Sequence, residues 1–222
     1  MAFSAIIFDM DGLLVDSEPI WYDIETAMIE QHGYTFTDDV RESTIGLRVD
    51  EFSKIIHHHY PKVAPNPEGV AKQVIEAMIS VPADKIHPRP GADDIIHYVA
   101  EQGIPCAIAS SSSQRIIDHF VHMLGWQELI PLTFSAEFMP KGKPAPDIYL
   151  HTAQELGIRP EQCLALEDSR AGTQAALAAN MTCYTVPDLS HSKLSDFDGV
   201  NDNLFGSLHD VLDTIKTKGF IA

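Results

Sequence analysis

Positive charge is scarce in this sequence. Fifteen Lys and Arg stand against thirty-two Asp and Glu among 222 residues, a formal charge of −17. Such a surface repels nucleic acid and anionic membranes, so neither is expected as a partner. An anionic small molecule would have to be met by a local patch of positive charge, from a metal ion or a few placed bases. Long apolar runs are also missing; none approaches the ~18–20 residues that span a bilayer. The opening residues 1–11 lack the basic start and small-residue cleavage site of a signal peptide, and a cytoplasmic, monomeric protein is expected. Cysteine is limited to Cys106, Cys163 and Cys183, odd in number, widely spaced, and each in or beside a short apolar run. That pattern points to buried reduced thiols rather than a disulfide framework or a zinc site. Repeats and low-complexity segments are absent.

What is present is an ordinary globular composition, 45% apolar and 21% charged, of a length suited to one large domain or a domain with an insertion. Residues 4–8, continuously apolar after Ser4, read as a strand covered on both faces. A helical stretch follows. Ile20, Ile24, Ala27 and Met28 recur at helical spacing, and His32-Gly33 reads as a helix end. Val49, Phe52, Ile55, Ile56 and Tyr60 form a second stripe, and Val70, Val74, Ile75 and Met78 a third. From Pro90 onward, strands alternate with helices. The strands are expected at 105–109, weakly near Leu132-Thr133-Phe134, at 163–166 and at 182–186. The last helix places Leu208, Val211, Leu212 and Ile215 on one face. The expectation is a doubly wound, parallel-sheet α/β core of residues 1–16 and 89–222, with an all-helical subdomain of residues 17–88 inserted after the first strand. Residues 188–203, polar and turn-rich, are the expected mobile loop.

Ligands of open α/β sheets bind beyond the carboxyl ends of the strands. The polar residues at those ends are Asp9 and Asp11, Ser110, Lys143, and Glu167 with Asp168. In extended backbone, side chains at i and i+2 point the same way, so Asp9 and Asp11 can enter one pocket, and Gly12 permits a sharp turn after them. Neighbouring carboxylates push their pKa values apart, leaving one to ionise while the other holds a proton. An ionised Asp9 can then ligate a metal and attack phosphorus, and a protonated Asp11 can supply a leaving group's proton. Asp16 and Ser17 are the better cap candidates for the next helix. Glu167 and Asp168 offer the oxygen donors that Mg²⁺ prefers, although Asp168 and Ser169 also suit a helix cap. Ser110 to Ser113 make a hydroxyl-rich strand-to-helix turn of a kind that binds phosphate. Lys143, before Pro144, is biased into an extended loop. His57, His58 and His59 cannot all face one ligand. Trp21 and Trp126 read as packing residues.

These residues carry a resemblance. The run from Phe8 to Pro19, Phe-Asp-Met-Asp-Gly-Leu-Leu-Val-Asp-Ser-Glu-Pro, resembles motif I of the haloacid dehalogenase superfamily. Ser110 resembles its motif II, Lys143 in Lys-Pro-Ala-Pro-Asp motif III, and Glu167-Asp168-Ser169 motif IV. The helical insertion is similar to the cap of the β-phosphoglucomutase-like subfamily. Within it, residues 16–21 and 46–50 are most similar to those of bacterial 2-deoxyglucose-6-phosphate or hexitol phosphatases. The resemblance implies a phosphatase of a small phosphorylated metabolite, a sugar or sugar-alcohol phosphate. Asp9 would be the nucleophile and Asp11 the general acid and base. Mg²⁺ would be held by Asp9, the Asp11 carbonyl and Asp168, with Glu167 direct or through water. Ser110, Ser111 and Lys143 would bind the phosphoryl group, and Arg48 would grip substrate from the cap.

Two other functions are compatible with the scaffold. A β-phosphoglucomutase would typically carry a cap histidine five residues after the position of Asp16, where this chain has Trp21. It would also carry its cap arginine three residues after the glycine, whereas Arg48 follows Gly46 by two. A non-catalytic binding module would not need the full set of catalytic positions, all of which are intact here.

Overall fold

The computed structural model describes residues 3–190 and 192–218. β1 (Ala5–Phe8) is apolar and wholly buried along its length. Its residues alternate between two layers, Ile6 and Phe8 joining one hydrophobic cluster and Ala5 and Ile7 the other, as the strand period of two requires. A strand buried on both faces belongs in the middle of a covered sheet. The sheet order is β3-β2-β1-β4-β5, with β2 (Cys106–Ser110), β3 (Thr133–Ser135), β4 (Cys163–Glu167) and β5 (Thr182–Thr185). Every pairing is parallel. Strand order reverses at β1, which pairs with β2 on one side and β4 on the other. That is where a doubly wound sheet opens a crevice.

Between β1 and β2 the chain runs through α1 (Glu18–Glu30), α2 (Asp38–Glu42), α3 (Val49–His59), α4 (Pro67–Met78) and α5 (Ala92–Glu101). Then α6 (Gln114–Met123) follows β2, α7 (Asp147–Glu155) follows β3, α8 (Arg170–Ala178) follows β4 and α9 (Leu208–Lys218) follows β5. Ile96 of α5, Phe120 of α6 and Val211 of α9 pack into the cluster on one side of the sheet, and Tyr149 of α7 and Ala176 of α8 into the cluster on the other. The expected core architecture is what the chain adopts.

The apolar stripes read from the sequence are the ones that bury α3 and α4, through Val49, Phe52 and Ile56 and through Val70, Val74 and Met78. α4 packs against both α1 and α3 and reaches α6 of the sheet layer. α2 was not separately anticipated. At five residues, with Val40 its one buried side chain, it is too short to show a period. The three cysteines are free and buried. No helix among the described residues is long and apolar enough to cross a membrane.

The small residues of α8 let it approach the sheet: Ala175 and Ala176 are fully buried against β4 and β5. Overfilling such a contact costs about 1–3 kcal/mol. Ala176→Leu should therefore lower the urea midpoint without changing the slope of the transition. An unchanged midpoint would mean that this layer has slack to repack.

Candidate active site

Asp9 extends β1 by one residue, its N–H donating to the Leu166 carbonyl at 2.9 Å, and so its carboxylate stands at the carboxyl edge of the sheet. There it accepts a hydrogen bond from Lys143 Nζ at 2.5 Å. The same ammonium donates to Glu167 Oε1 at 2.7 Å and to the Ala109 carbonyl at 3.2 Å. The loop lysine of the sequence reading is thus a buried one, its side chain 4% exposed. Burial drives the Asp9 carboxyl up to about 8 against the pull of Lys143, and Glu167 and Asp11 add to the rise. Burial, then the charges of Asp9 and Glu167, raise Asp168 well above the usual carboxylate range. Burial alone would lower the Lys143 ammonium; Asp9 and Glu167 outweigh it and raise it instead. Oxygens of Asp9, Glu167 and Asp168 lie within 4.8 Å of one another. Three acids share one ammonium, a deficit of positive charge that a cation would relieve.

Glu167 is saturated. Its Oε1 also accepts from Tyr149 Oη at 2.6 Å, and Oε2 accepts from the Asp168 N–H at 3.2 Å and from Ser169 Oγ at 3.2 Å. Two glycines make room for the acids. A Cβ on Gly172 would lie 1.9 Å from Glu167 Oε1, and one on Gly12, at φ +77°, would lie 2.3 Å from Asp168 Oδ2. Of the two cap candidates for α8, Ser169 takes the role by accepting from the Gly172 N–H at 3.0 Å. Asp168 is left for the site.

Asp11 is held at both oxygens. Oδ1 accepts from Ser17 Oγ at 2.7 Å and Trp21 Nε1 at 3.2 Å; Oδ2 accepts from Ser112 Oγ at 2.8 Å and Ser110 Oγ at 3.1 Å. Ser17 occupies the cap position of α1 but makes no side-chain cap bond, because its hydroxyl is turned to Asp11. Asp16, its fellow candidate, pairs with Arg89 at 3.3 Å. Trp21 packs against the hydrophobic cluster as expected and in addition donates to Asp11, and Trp126 is buried and donates to Asp93 at 2.8 Å. Ser112 was visible only as one of four serines.

A cleft of about 750 Å³ lies between the strand ends and the helical insertion. Asp9, Asp11, Ser110, Ser111, Lys143 and Asp168 all line it. Leu189, Ser190 and Lys193, from the loop expected to be mobile, line it too; His191 of that loop lies outside the described residues. Arg48 is not among the lining residues. Its guanidinium donates to the main-chain carbonyls of Met139 at 2.8 Å and Ala136 at 3.2 Å and pairs with Asp50. Its stem packs where a Cβ on Gly142 would fall, 3.0 Å away. Arg48 therefore ties the insertion to the core beside Lys143. His57, His58 and His59 end α3 and belong to no cluster of potential metal ligands among the described residues.

The insertion's side of the cleft carries acids of its own. Burial, then the charges of Asp11 and Asp188, raises Glu18 to about 7. Burial and Glu18, opposed by Arg41, raise Glu25 to about 8. A carboxyl raised above its ordinary value near 4.5 lends stability that is complete below that pH and is lost as pH climbs through about 8. Glu25→Gln should accordingly gain melting temperature relative to the wild type between pH 5 and pH 9. Parallel melting curves across that range would show that Glu25 titrates as an ordinary surface acid.

Comparison with known proteins places these features in a wider set. Residues 6–186 match the haloacid dehalogenase-like hydrolase family. Hexitol phosphatase B of Escherichia coli (strain K12) is 34% identical over 184 residues, spanning 82% of this chain and 83% of that one. The crystal structure of CbbY from Rhodobacter sphaeroides in complex with phosphate superposes with a TM-score of 0.82 at 25% identity, covering 94% of this chain and 96% of that one. A putative β-phosphoglucomutase from Thermotoga maritima superposes with a TM-score of 0.74 at 26% identity, covering 96% and 99%.

Proposed function

The chain belongs to the haloacid dehalogenase-like hydrolases, and from that premise we propose that it is a magnesium-dependent phosphatase of a small sugar or sugar-alcohol monophosphate, working through an aspartyl phosphate. The observation that carries this reading is the Asp9 carboxylate, anchored at one oxygen by Lys143 and facing a cleft that also holds Asp11, Ser110 and Asp168. The similarity to a hexitol phosphatase supports the choice of substrate class.

In the first step an Asp9 oxygen attacks phosphorus, the P–O bond to the sugar breaks, and Asp11 gives its proton to the departing alkoxide. In the second, Asp11 takes a proton from water as that water attacks the phosphoryl group, and the P–O bond to Asp9 breaks to release phosphate. Lys143 orients Asp9 and offsets charge on the phosphoryl oxygens, while Ser110 and Ser111 supply hydroxyl and N–H donors to them. The oxygen-only cluster of Asp9, Glu167 and Asp168 fits Mg²⁺, which in this reading would be held by Asp9, Asp168 and the Asp11 carbonyl, with Glu167 at hand directly or through water. Bound there, the cation supplies charge neutralisation for the transferring group. Glu167, with its oxygens committed to Lys143, Tyr149 and Ser169, serves in this reading to hold the lysine and the strand end. Residues 17–88 act as a cap over a core of residues 1–16 and 89–222, and Arg48 couples the two.

A mutase on the same scaffold would return the phosphoryl group to the sugar. The group that meets Asp11 from α1 is the indole N–H of Trp21, which donates but cannot carry a proton back and forth. Phosphate release and isomer formation, followed together with β-glucose 1-phosphate and hexitol phosphates, separate the two reactions. Release without isomer is expected; isomerisation outrunning release would overturn the phosphatase reading. Lys143→Ala should lower kcat by about 10²–10³, whereas Lys141→Ala, at an exposed position, should be near neutral. Equal losses would mean that Lys143 has no special place in the reaction.

A further inference from the structure

Lys143 lies in the loop before α7 and Tyr149 in the first turn of that helix. Both donate to one atom. Glu167 Oε1 accepts from Lys143 Nζ at 2.7 Å and from Tyr149 Oη at 2.6 Å. Tyr149 is fully buried, and its ring belongs with Ile148 and Ala153 to the hydrophobic cluster on that side of the sheet. Packing explains an aromatic ring at this position. It does not explain the hydroxyl, since phenylalanine would fill the same space. A buried phenol needs a hydrogen-bond partner, and this one meets a carboxylate that already holds an ammonium.

That ammonium has two claimants. Lys143 also donates to Asp9, the carboxylate that attacks phosphorus in the phosphatase reading, and it must offset charge on the phosphoryl oxygens as they arrive. Glu167 draws the same ammonium back toward β4. The strength of that pull depends on how far other donors meet the Glu167 charge. At Oε2 the Asp168 N–H and Ser169 Oγ do so, each at 3.2 Å. At Oε1, where Lys143 binds, Tyr149 is the other side-chain donor among the described residues. A neutral phenol stabilises the carboxylate by a charge-assisted hydrogen bond and brings no second cation. Tyr149 does not line the cleft, so any effect it has on the reaction passes through its neighbours. We propose that Tyr149 is a positioning residue for phosphoryl transfer, its hydroxyl occupying Glu167 Oε1 so that Lys143 is directed at Asp9 and the phosphoryl group instead of being drawn back to β4. This inference rests on the phosphatase reading and adds to it a residue that never touches substrate.

The test is Tyr149→Phe, which keeps the ring 5.3 Å from Lys143 Nζ and removes the hydroxyl alone. Turnover of 4-nitrophenyl phosphate and of a hexitol 6-phosphate is measured at saturating Mg²⁺, with orthovanadate as a mimic of the transferring phosphoryl group. For both esters kcat should fall about tenfold, the scale of a lost hydrogen bond to a charged group, and the inhibition constant of orthovanadate should rise by a similar factor. Mg²⁺ affinity, followed by calorimetry, should remain that of the wild type. A drop of about 10–100-fold, the cost of removing a group that supports a metal ligand, would assign the hydroxyl to the metal and overturn the inference. In a Lys143→Ala background Tyr149→Phe should have no further effect, because no ammonium is left to direct; a further loss of the same size would overturn it. Unchanged kcat and orthovanadate inhibition in the single variant would do the same, as would loss of the cooperative urea transition, which would make the hydroxyl a structural group. Wild-type protein that cleaves neither ester would defeat the phosphatase reading itself, and this inference with it.

Discussion

Lys143 donates to Asp9 at the end of β1, to Glu167 at the end of β4, and to the Ala109 carbonyl within β2. Three neighbouring strands therefore share one ammonium at the point where strand order reverses. Asp9, Lys143 and Glu167 are all buried, and removing one partner of a buried pair typically costs about 3–5 kcal/mol. The contact fixes the direction of the Asp9 carboxylate, and its deficit of positive charge makes the neighbourhood receptive to a cation. Around it, Gly12 and Gly172 are needed because a Cβ at either would occupy the space of Asp168 or Glu167. Stability and chemistry are drawn from the same few atoms.

Asp11 links this centre to the helical insertion. Its carboxylate is bonded on one side to Ser17 and Trp21 and on the other to Ser110 and Ser112. A change in the position of α1 relative to the sheet must alter those bonds, and so the group proposed to move protons is placed to sense whether the insertion has settled on the core. Arg48 makes the second link, through main-chain carbonyls beside the loop that carries Lys143. Two separate sets of contacts thus join the inserted helices to the sheet.

The strand-end residues were legible in the sequence because each follows a short, fully apolar run, and such runs have one natural home in a parallel sheet. Asp9, Ser110, Glu167 and Asp168 were found that way. β3 was faint because only three residues pair, and α2 was missed for the same shortness. Partnerships made by tertiary approach were harder to read. The bonds of Ser17 and Trp21 to Asp11 could not be read, because Asp11 lies across a turn whose geometry no local pattern encodes. The carbonyls that receive Arg48 are 88 and 91 residues away, and main-chain acceptors leave no trace in side-chain identity. The resemblance supplied the residue types of a substrate grip; the structure shows what this arginine touches.

The central claim is that Asp9 becomes covalently phosphorylated during turnover. An acyl phosphate is reduced by borohydride, which converts the modified aspartate to homoserine. Acid-quenching the enzyme in mid-turnover with a hexitol phosphate and Mg²⁺, treating it with borohydride and sequencing the peptides by mass spectrometry would locate the modification. The account predicts homoserine at position 9, dependent on substrate and absent at position 11. Modification at Asp11 or Ser110, or none while phosphate is being released, would contradict it.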